Sequence, residues 1–314
     1  MGVDVLLNTK KEGANLQQDT VSRESVVNNN SWMLERDKPF VIHNDIDGLL
    51  SAMLLSQKVN WNLVGFYDLK SVWFDTSFEG SIFDPIYIDL DVTHFQARSA
   101  GHHIILQHGK FHVNPNLLFN KNIYNFETKY PLGEILFLLW LYDEKLPVNK
   151  DSWYWLLHAD SSWESYYGKV TEKTERLTQI IERNVDDWLR SKLNFPPLAD
   201  FLRQHKYQDF KRRIDELIMP NKFGRGDQFS FRMQNWDRER TGIVDVLNHL
   251  ESVLSWSATA IPRKLRKVRE LVNFTLSDYD RDMFSKVLPY FRDNIFSHGV
   301  TYFNPPSMKV SLIA

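Results

Sequence analysis

Short apolar segments alternate with a helical pattern between residues 40 and 89. Residues 40–42, 62–67 and 85–89 have the composition of strands, and residues 48–58 carry apolar side chains at the spacing of one helix face. Strands that alternate with helices are typical of an α/β fold in which a mainly parallel sheet is covered by helices. Because ligands bind at the carboxyl ends of the strands in such sheets, the polar residues after these segments are the first candidates for a functional site.

Composition divides the 314-residue chain into three predicted parts. Residues 1–37 are predicted to be a polar N-terminal extension with at most one short strand, at residues 3–7. Residues 38–195 are predicted to form the α/β domain, and a double proline marks its boundary. Residues 196–314 are predicted to form a mostly helical second domain. Its predicted helices span residues 198–218, 241–255, 262–274 and 278–296, and its predicted strands span residues 229–233 and 308–313.

Residue usage narrows the class of protein. The chain contains no cysteine, which excludes disulfides and thiolate metal sites. The longest apolar run, at residues 135–141, is too short to cross a bilayer. The N-terminus lacks a cationic and apolar leader, so a cytoplasmic protein with no membrane partner is predicted. The net charge of −2 hides an asymmetry, because residues 196–314 carry 19 Lys and Arg against 14 Asp and Glu. This asymmetry suits a metal site beside an anion-binding surface.

Carboxylate and imidazole side chains recur at four places in the α/β half. In chain order they are His43 with Asp45 and Asp47, then Asp89, then His102 with His103, and then Asp160. Oxygen ligands mixed with imidazole suit Mn²⁺ or Mg²⁺, with Zn²⁺ or Co²⁺ as alternatives. With one bridging carboxylate, six ligands are enough for a two-metal site that activates water and holds a phosphoryl oxygen. The plainer alternative is that Asp45 and Asp47 only cap a helix.

These groups resemble the motifs of the DHH phosphoesterase superfamily, which includes RecJ-like exonucleases, nano-RNases, cyclic-dinucleotide phosphodiesterases and family II pyrophosphatases. The four motifs are HNDIDGLLSA at residues 43–52, IYIDLD at 86–91, GHH at 101–103 and HAD at 158–160. The segments VNPNL at 113–117 and YPLGEILFLLW at 130–140 are similar to the RecJ-like members. The resemblance covers roughly residues 38–165, which is less than half of the chain.

The resemblance implies a hydrolase that cleaves phosphodiester bonds with two metal ions, Mn²⁺ in the first place. Its implied substrate is single-stranded nucleic acid, a short oligonucleotide or a nucleotide second messenger. His103 is expected to stabilise charge on the scissile phosphate, with Asp45 and Asp47 as the other catalytic residues. One ion is expected on His43, Asp45 and Asp89, and the other on Asp47, Asp89, His102 and Asp160.

The chain departs from the family pattern in three ways. Gly101 stands where the family has Asp, and that Asp is expected to support the site rather than to bind metal. No clear apolar strand precedes the His pair, so an alternative register makes residues 104–106 the strand and His108 the ligand. The C-terminal half lacks the Gly-Gly-Gly-His substrate motif, for which the Ser-His-Gly sequence at residues 297–299 is a poor substitute. Asp91 is interpreted as a solvated loop residue, with a further metal ligand as the alternative.

Several cations are candidates for substrate binding. Arg98 could hold a phosphate, although a surface position is equally consistent with the sequence. The run at residues 262–274 is predicted to be helical, and its cations could bind a nucleic-acid backbone or form a solvated helix face. These cations are Arg263, Lys264, Arg266 and Lys267. Two other functions stay open: an inactive scaffold that binds nucleic acid or protein, and a hydrolase of small phosphoanhydrides. A homodimer or a larger assembly is compatible with each function.

Overall fold

The computed structural model describes residues 21–106, 108–160, 175–205, 212–213, 216, 230–277, 294–303 and 306–313. The strand predicted at residues 3–7 lies outside this part of the chain. Residues 278–293 of the helix predicted at 278–296 also lie outside it.

The centre of the fold is a seven-stranded sheet in the order β6-β5-β4-β1-β2-β3-β7. Neighbouring strands from β6 to β2 are parallel, whereas β3 is antiparallel to both β2 and β7. The sheet therefore confirms the predicted α/β class with a mainly parallel sheet. The strands are β1 (Pro39–His43), β2 (Asn62–Tyr67), β3 (Ser71–Asp75), β4 (Ile86–Ile88), β5 (Arg98–Ala100), β6 (Phe111–Val113) and β7 (Leu265–Glu270).

Helices pack beside this sheet and contribute many of the buried core side chains. The helices of the described residues are α1 (Arg23–Asn29), α2 (Ile46–Val59), α3 (Pro115–Leu118), α4 (Glu134–Leu141), α5 (Lys150–His158), α6 (Glu175–Asp187), α7 (Pro196–Gln204) and α8 (Trp236–Leu254). A π-helical turn, Trp188–Lys192, follows α6, and short 3-10 helices span Ser31–Leu34, Ile123–Thr128 and Met233–Asn235. No helix in these residues is long and apolar enough to cross a membrane.

Helix α4 is apolar on all sides because it is buried on all sides. It packs against α2 and α5, and the side chains of Ile135 to Leu139 are completely buried. A helix with this pattern belongs in the centre of a core. Trp155 and Trp188 are among the largest buried side chains, which agrees with a heavily aromatic core.

The second half of the chain is less helical than predicted in its described residues. Helix α8 confirms the prediction for residues 241–255, and α7 covers the first part of the helix predicted at 198–218. The helix predicted at 262–274 is wrong, because β7 and β8 (Val272–Ser277) occupy that segment. The predicted strand at 229–233 is not formed by residues 230–233. β10 (Pro306–Leu312) confirms the strand predicted at 308–313.

A second, three-stranded sheet lies over the carboxyl edge of the main sheet. It is antiparallel, with β10 between β8 and β9 (Ile295–Phe303). The backbone N–H of Thr93 donates to the carbonyl of Phe296 over 2.8 Å, and the N–H of Val300 donates to the carbonyl of Ile104 over 2.8 Å. Since these contacts come from the loops after β4 and β5, the second sheet covers the end of the main sheet where a ligand site is expected.

Candidate metal centre

The turn from β1 into α2 holds the first three predicted ligands. Asp45 precedes the helix and caps it, because its Oδ1 accepts the N–H of Gly48 over 3.0 Å. Its Oδ2 lies 2.6 Å from Nδ1 of His43, the last residue of β1. A Cβ at position 48 would overlap the backbone carbonyl of His43. The glycine therefore lets the helix begin directly against the end of the strand.

Asp47 connects α2 to the beginning of α4. Its two carboxylate oxygens accept the backbone N–H groups of Glu134 and Ile135 over 2.6 and 2.9 Å. These N–H groups belong to the first turn of α4 and have no partner within their own helix. A Cβ at Gly133 would lie 2.8 Å from Asp47 Oδ2, so the absence of a side chain permits the close approach. Both aspartates thus cap helices, as the plainer interpretation expected, while their carboxylates stay at the end of the sheet.

Asp89 and His102 follow the neighbouring strands β4 and β5. Asp89 has a left-handed backbone with φ of 58°. Its Oδ1 lies 3.5 Å from Nδ1 of His102. On the other side of the imidazole, Nε2 lies 2.8 Å from Oδ2 of Asp160, which follows α5. A short strand, Arg98–Ala100, does precede the His pair. The alternative register is therefore wrong: Ile104 forms only an isolated bridge, and His108 is exposed.

Three groups of these side chains could each hold a metal ion. Within each group, one potential ligand atom per residue lies within 4.8 Å of the others. The groups are His43, Asp45 and Asp89; Asp47, Asp89 and His102; and His102, His103 and Asp160. Asp89 belongs to the first two groups and His102 belongs to the last two. We call the six predicted ligands, His43, Asp45, Asp47, Asp89, His102 and Asp160, the metal-ligand cluster.

Whether this cluster suits a cation can be judged from its buried polar atoms that lack a hydrogen-bond partner. Asp89 Oδ2 and His102 Nδ1 are buried, and within the described chain neither has a hydrogen-bond partner. Both carboxylate oxygens of Glu134 are also buried without a hydrogen-bond partner in the described chain, and Oε2 lies 3.7 Å from His102 Nδ1. Buried polar atoms are normally paired, because an unpaired one costs about 1–3 kcal/mol. Unpaired oxygen and nitrogen atoms among convergent carboxylates fit a divalent cation.

The charge balance of the cluster agrees with that fit. Burial raises the pKa of Asp89 well above its ordinary value, and the neighbouring carboxylates of Asp47 and Asp45 add to the effect. Burial also raises the pKa of Asp47 to about 7, against the opposing charge of His102. Burial acts in the same direction on Asp160, but its hydrogen bond with His102 prevails and lowers its pKa to about 2. The imidazoles therefore neutralise part of the negative charge, and a bound cation would offset the rest.

Two residues of the site were missed or misjudged from the sequence. Glu134 was not predicted, although a single carboxylate inside the apolar run at residues 130–140 was an available signal. Asp91 was interpreted as a solvated loop residue, and the structure corrects this, since only 7% of it is exposed. Asp91 is absent from the three potential metal groups and instead accepts hydrogen bonds from His103, His112 and Asn114.

A cavity of about 530 Å³ lies between the metal-ligand cluster and the second sheet. From the cluster side it is lined by His43, Asp45, Asp89, Asp91, His103 and Asp160, and from the second sheet by Asn273, Thr275, Lys309 and Ser311. Lys70, in the turn between β2 and β3, also lines it. Ser297, His298 and Gly299 also line it, so the Ser-His-Gly sequence does reach the site. His298 itself has a supporting role, because both ring nitrogens are bonded, one to Thr93 and one to the N–H of Leu106.

The predicted substrate cations lie away from this cavity. Arg98 is at the opposite end of β5 and pairs with Glu35 over 3.0 Å. The cationic run is an extended strand and the segment before it rather than a helix, so successive side chains alternate between the two sheet faces. None of Arg98, Arg263, Lys264, Arg266 and Lys267 lines the cavity.

Comparisons with known proteins add no further constraint on this site. A scan against protein-family models, a search of curated proteins and a search of solved structures each found no match to this chain.

Proposed function

We propose that this protein is a metal-dependent phosphodiesterase that uses two divalent ions, with Mn²⁺ as the preferred metal. The observation that carries the proposal is the sharing of Asp89 between two potential metal groups at the carboxyl ends of adjacent parallel strands. A carboxylate shared in this way can bridge two ions, as two-metal phosphoesterase sites require. The nine-tenths or greater burial of Asp45, Asp47, Asp89 and His102 supports tight binding of these ions.

The chain offers a ligand set for each ion, and the two sets share only Asp89. One set is His43, Asp45 and Asp89, and the other is Asp47, Asp89 and His102, with Asp160 beside His102. When bound, divalent ions at such a site activate water for attack on phosphorus and offset charge on the phosphoryl oxygens. The hydrogen bonds from α4 to Asp47 and from α2 to Asp45 hold these carboxylates in place before any ion arrives.

His103 is the residue we assign to the substrate. Its side chain is 39% exposed and lines the cavity, whereas the ring of His102 beside it is buried. The two rings are stacked, with centroids 4.6 Å apart. With Nδ1–H bonded to Asp91, only the doubly protonated ring also carries an N–H on Nε2, and that N–H, directed at a phosphoryl oxygen, would stabilise the charge that develops there during hydrolysis. His103 therefore acts beside the ions, while His102 acts as one of their ligands.

The cavity supports a substrate, or a terminal part of one, of nucleotide size. Its volume of about 530 Å³ falls within the range of about 300–1,000 Å³ that small-molecule sites occupy. Lys70 and Lys309 line it, and neither forms an ion pair within the described part of the chain. Their charges suit a second anionic group of the same substrate. We therefore propose nucleotide phosphodiesters, including the end of a single-stranded nucleic acid and dinucleotide second messengers, as the substrate class.

A substrate panel tests this proposal. The purified chain with Mn²⁺ is incubated with labelled single-stranded DNA, single-stranded RNA, linear and cyclic dinucleotides, and pyrophosphate, and released products are measured. We expect hydrolysis of at least one phosphodiester, and its loss in the Asp45→Asn/Asp47→Asn double variant. Asp84→Asn is the matched control, because it removes one carboxylate charge from an exposed loop away from the site. Undiminished activity in the double variant would contradict the proposal.

The panel also separates the other functions. Turnover of pyrophosphate alone would identify a phosphoanhydride hydrolase and overturn the assigned substrate class. Absence of both turnover and bound Mn²⁺ would identify an inactive scaffold.

A further inference from the structure

Residue 101 has no room for a side chain, because another residue occupies that space. A Cβ built on Gly101 would lie 2.6 Å from Oδ1 of Asp91 and 2.7 Å from its Cγ. It would also lie 2.8 Å from the backbone carbonyl carbon of Leu90. These distances are well inside van der Waals contact, and two of the three involve the carboxylate of Asp91. The space next to the His pair is therefore filled from the loop after β4 rather than from the loop that carries the histidines.

The Asp91 carboxylate is bonded on both of its oxygens. Oδ2 accepts the backbone N–H of His103 over 3.0 Å and lies 2.9 Å from Nδ1 of the same residue. Oδ1 accepts from Asn114 Nδ2 over 2.8 Å and lies 3.1 Å from His112 Nε2. An ionised carboxylate only accepts hydrogen bonds, so Nδ1 of His103 must carry a hydrogen in this pair. We call these four residues, Asp91, His103, His112 and Asn114, the Asp91 network.

The remaining bonds of the network hold the His103 backbone as well as its ring. Asn114 Nδ2 also donates to the backbone carbonyl of His103 over 2.8 Å. Asn116 Nδ2 donates to the carbonyl of His102 over 2.6 Å. With both peptide groups and Nδ1 held, Nε2 is the ring nitrogen of His103 that remains for the cavity, 3.9 Å from Oδ2 of Asp160.

We propose that Asp91 is the positioning residue for His103, and that Gly101 is the counterpart that makes room for its carboxylate. Asp91 lines the cavity but belongs to none of the three potential metal groups, and both of its oxygens are bonded within the protein. It acts by fixing the tautomer and orientation of the His103 ring. The consequence for activity rests on the phosphodiesterase function proposed above, whereas the consequence for the His103 ring does not.

The first test is a spectroscopic one on the metal-free full chain. Selective ¹⁵N labelling of histidine reports which ring nitrogen carries the hydrogen, and His103→Gln assigns the signals of residue 103. At about pH 8, we expect hydrogen on Nδ1 of His103 in the unchanged protein. In Asp91→Asn only one oxygen of the side chain can accept hydrogen bonds, and the donors of His103 compete for it with those of His112 and Asn114. We therefore expect the His103 tautomer with hydrogen on Nε2 to become populated. An unchanged His103 spectrum in Asp91→Asn would overturn the proposal.

A matched control separates positioning from general disturbance of the network. His112→Phe removes a donor to the opposite oxygen of Asp91 and leaves both contacts between Asp91 and His103 in place. We expect its His103 signals to match those of the unchanged protein. If His112→Phe alters the His103 tautomer as much as Asp91→Asn does, Asp91 has no specific positioning role and the proposal fails.

The steric half of the proposal has a separate test by thermal unfolding. Gly101→Ala is expected to lower the Tm, because its Cβ meets the Asp91 carboxylate. Combined with Asp91→Ala, the same substitution is expected to cost less, since two of the three close contacts are gone. Equal losses of Tm in the two backgrounds would contradict the fit between residues 91 and 101. This comparison stays informative even if Asp91→Asn proves too unstable for spectroscopy.

Kinetics connects the positioning role to the reaction. For a substrate identified by the panel, Asp91→Asn is expected to lower kcat by about 10- to 100-fold, with KM and Mn²⁺ affinity changed less than about twofold. A loss confined to Mn²⁺ affinity would show that Asp91 acts on the metal-ligand cluster instead. If the unchanged protein hydrolyses nothing, the proposed function fails, and the His103 spectra still decide the positioning role.

Discussion

Asp89 and Asp91 lie two residues apart, and both are buried at the same end of the sheet, but their surroundings are opposite. Asp89 Oδ2 has no hydrogen-bond partner among the described residues, and the carboxylates of Asp45 and Asp47 lie nearby, with the His102 imidazole 3.5 Å from its Oδ1. Burial and those carboxylates raise its pKa well above the ordinary value. Burial would also raise the pKa of Asp91, but hydrogen bonds from His103 and His112 outweigh it and lower that pKa far below the ordinary value.

The difference separates a carboxylate whose oxygens are all hydrogen-bonded within the protein from one that could hold a cation. Asp91 has donors for both oxygens, so its charge is stabilised within the protein and it can serve as a rigid orienting group. Asp89 is buried at comparable cost without such donors, which is the condition expected of a metal ligand in the absence of its metal. Under the proposed function, the metal-ligand cluster binds the ions and the Asp91 network positions His103 beside them.

The largest effect is expected from the shared ligand. Asp89→Asn preserves the volume of the side chain and removes the charge that both potential ions share. If Asp89 bridges two ions as proposed, its loss would cost several kcal/mol of transition-state stabilisation, so hydrolysis should fall by roughly 10³-fold or more. Steady-state kinetics with Mn²⁺ measures this loss, with Asp84→Asn as the control. Activity within about tenfold of the unchanged protein would contradict the role of Asp89 as a shared metal ligand.

Asp89→Asn is expected to have the larger effect on hydrolysis, but substitution of Asp91 is expected to have the larger effect on the stability of the metal-free protein. Asp91→Ala removes the acceptor of the buried His112 Nε2 and of the His103 backbone N–H and Nδ1, and one of the two acceptors of Asn114 Nδ2, so we expect a loss of about 3 kcal/mol in the free energy of unfolding. Asp89→Asn removes a carboxylate that is repelled by its neighbours, so that variant should be at least as stable as the unchanged protein. Urea unfolding in the presence of a chelator measures both values. Equal destabilisation by the two substitutions would contradict the comparison.

Metal binding should reduce the difference in stability contribution between Asp89 and Asp91, because an ion would offset the charge of Asp89. At about 100 times its Kd, Mn²⁺ adds about 2.7 kcal/mol to stability, which corresponds to a rise of roughly 5 °C in Tm. Thermal unfolding of the unchanged protein and of Asp89→Asn, with and without Mn²⁺, measures the effect. We expect the rise to be largely absent in Asp89→Asn and retained in Asp91→Asn.

The same experiment has a predicted pH dependence. The folded-state pKa of Asp47, about 7, lies above its ordinary value of 3.8, so the folded metal-free protein holds a proton that the unfolded chain has released. Its stability therefore falls as pH rises from about 4 towards about 7. The raised pKa of His102 acts in the same direction, since charged His102 stabilises the fold and loses its proton as pH rises. Because Mn²⁺ takes the place of these protons, its effect on Tm should be larger at about pH 8 than at about pH 5.5.

The smallest effect is expected from the cavity wall opposite the cluster. Lys309→Gln removes an exposed positive charge that lines the cavity and contacts none of the metal-ligand cluster through an ion pair in the described chain. An exposed charge interaction is worth about 0.2–1 kcal/mol, so KM should rise by less than about fivefold with kcat unchanged. Kinetics at low and high salt checks this, since the difference between the two proteins should shrink as salt increases. A large fall in kcat would contradict this expectation and indicate that Lys309 takes part in catalysis.

The sequence predicted the metal end of the fold better than its second half, for a physical reason. Strand β1 and helix α2 have the apolar spacing of a strand and a helix, and Asp45 and Gly48 occupy the turn between them, so local pattern and tertiary structure agree. Leu265, Val268 and Leu271 have the three-residue spacing of a helix face. Pairing of this segment with β3 outweighs that local preference and makes it a strand.

Glu134, which was missed, and Asp91, which was misinterpreted, show that local sequence pattern does not predict burial caused by contacts between distant segments. Asp91 follows a strand and a ligand, which suits a loop residue as well as a buried one. Its function depends on the space above Gly101 and on donors from His112 and Asn114, which only the folded chain brings together. Glu134 is buried because Asp47 anchors the N–H groups at the start of α4 against the cluster. Both cases depend on contacts between distant segments rather than on local pattern.

The most direct test of the account is anomalous diffraction from crystals of this protein grown with Mn²⁺. We predict two anomalous peaks on either side of the Asp89 carboxylate, one near His43 and Asp45 and the other near Asp47 and His102, with no peak at Asp91. In crystals of Asp89→Asn, at least one of the two peaks should disappear. A metal ion on Asp91, or no ion in the metal-ligand cluster at saturating Mn²⁺, would contradict the account.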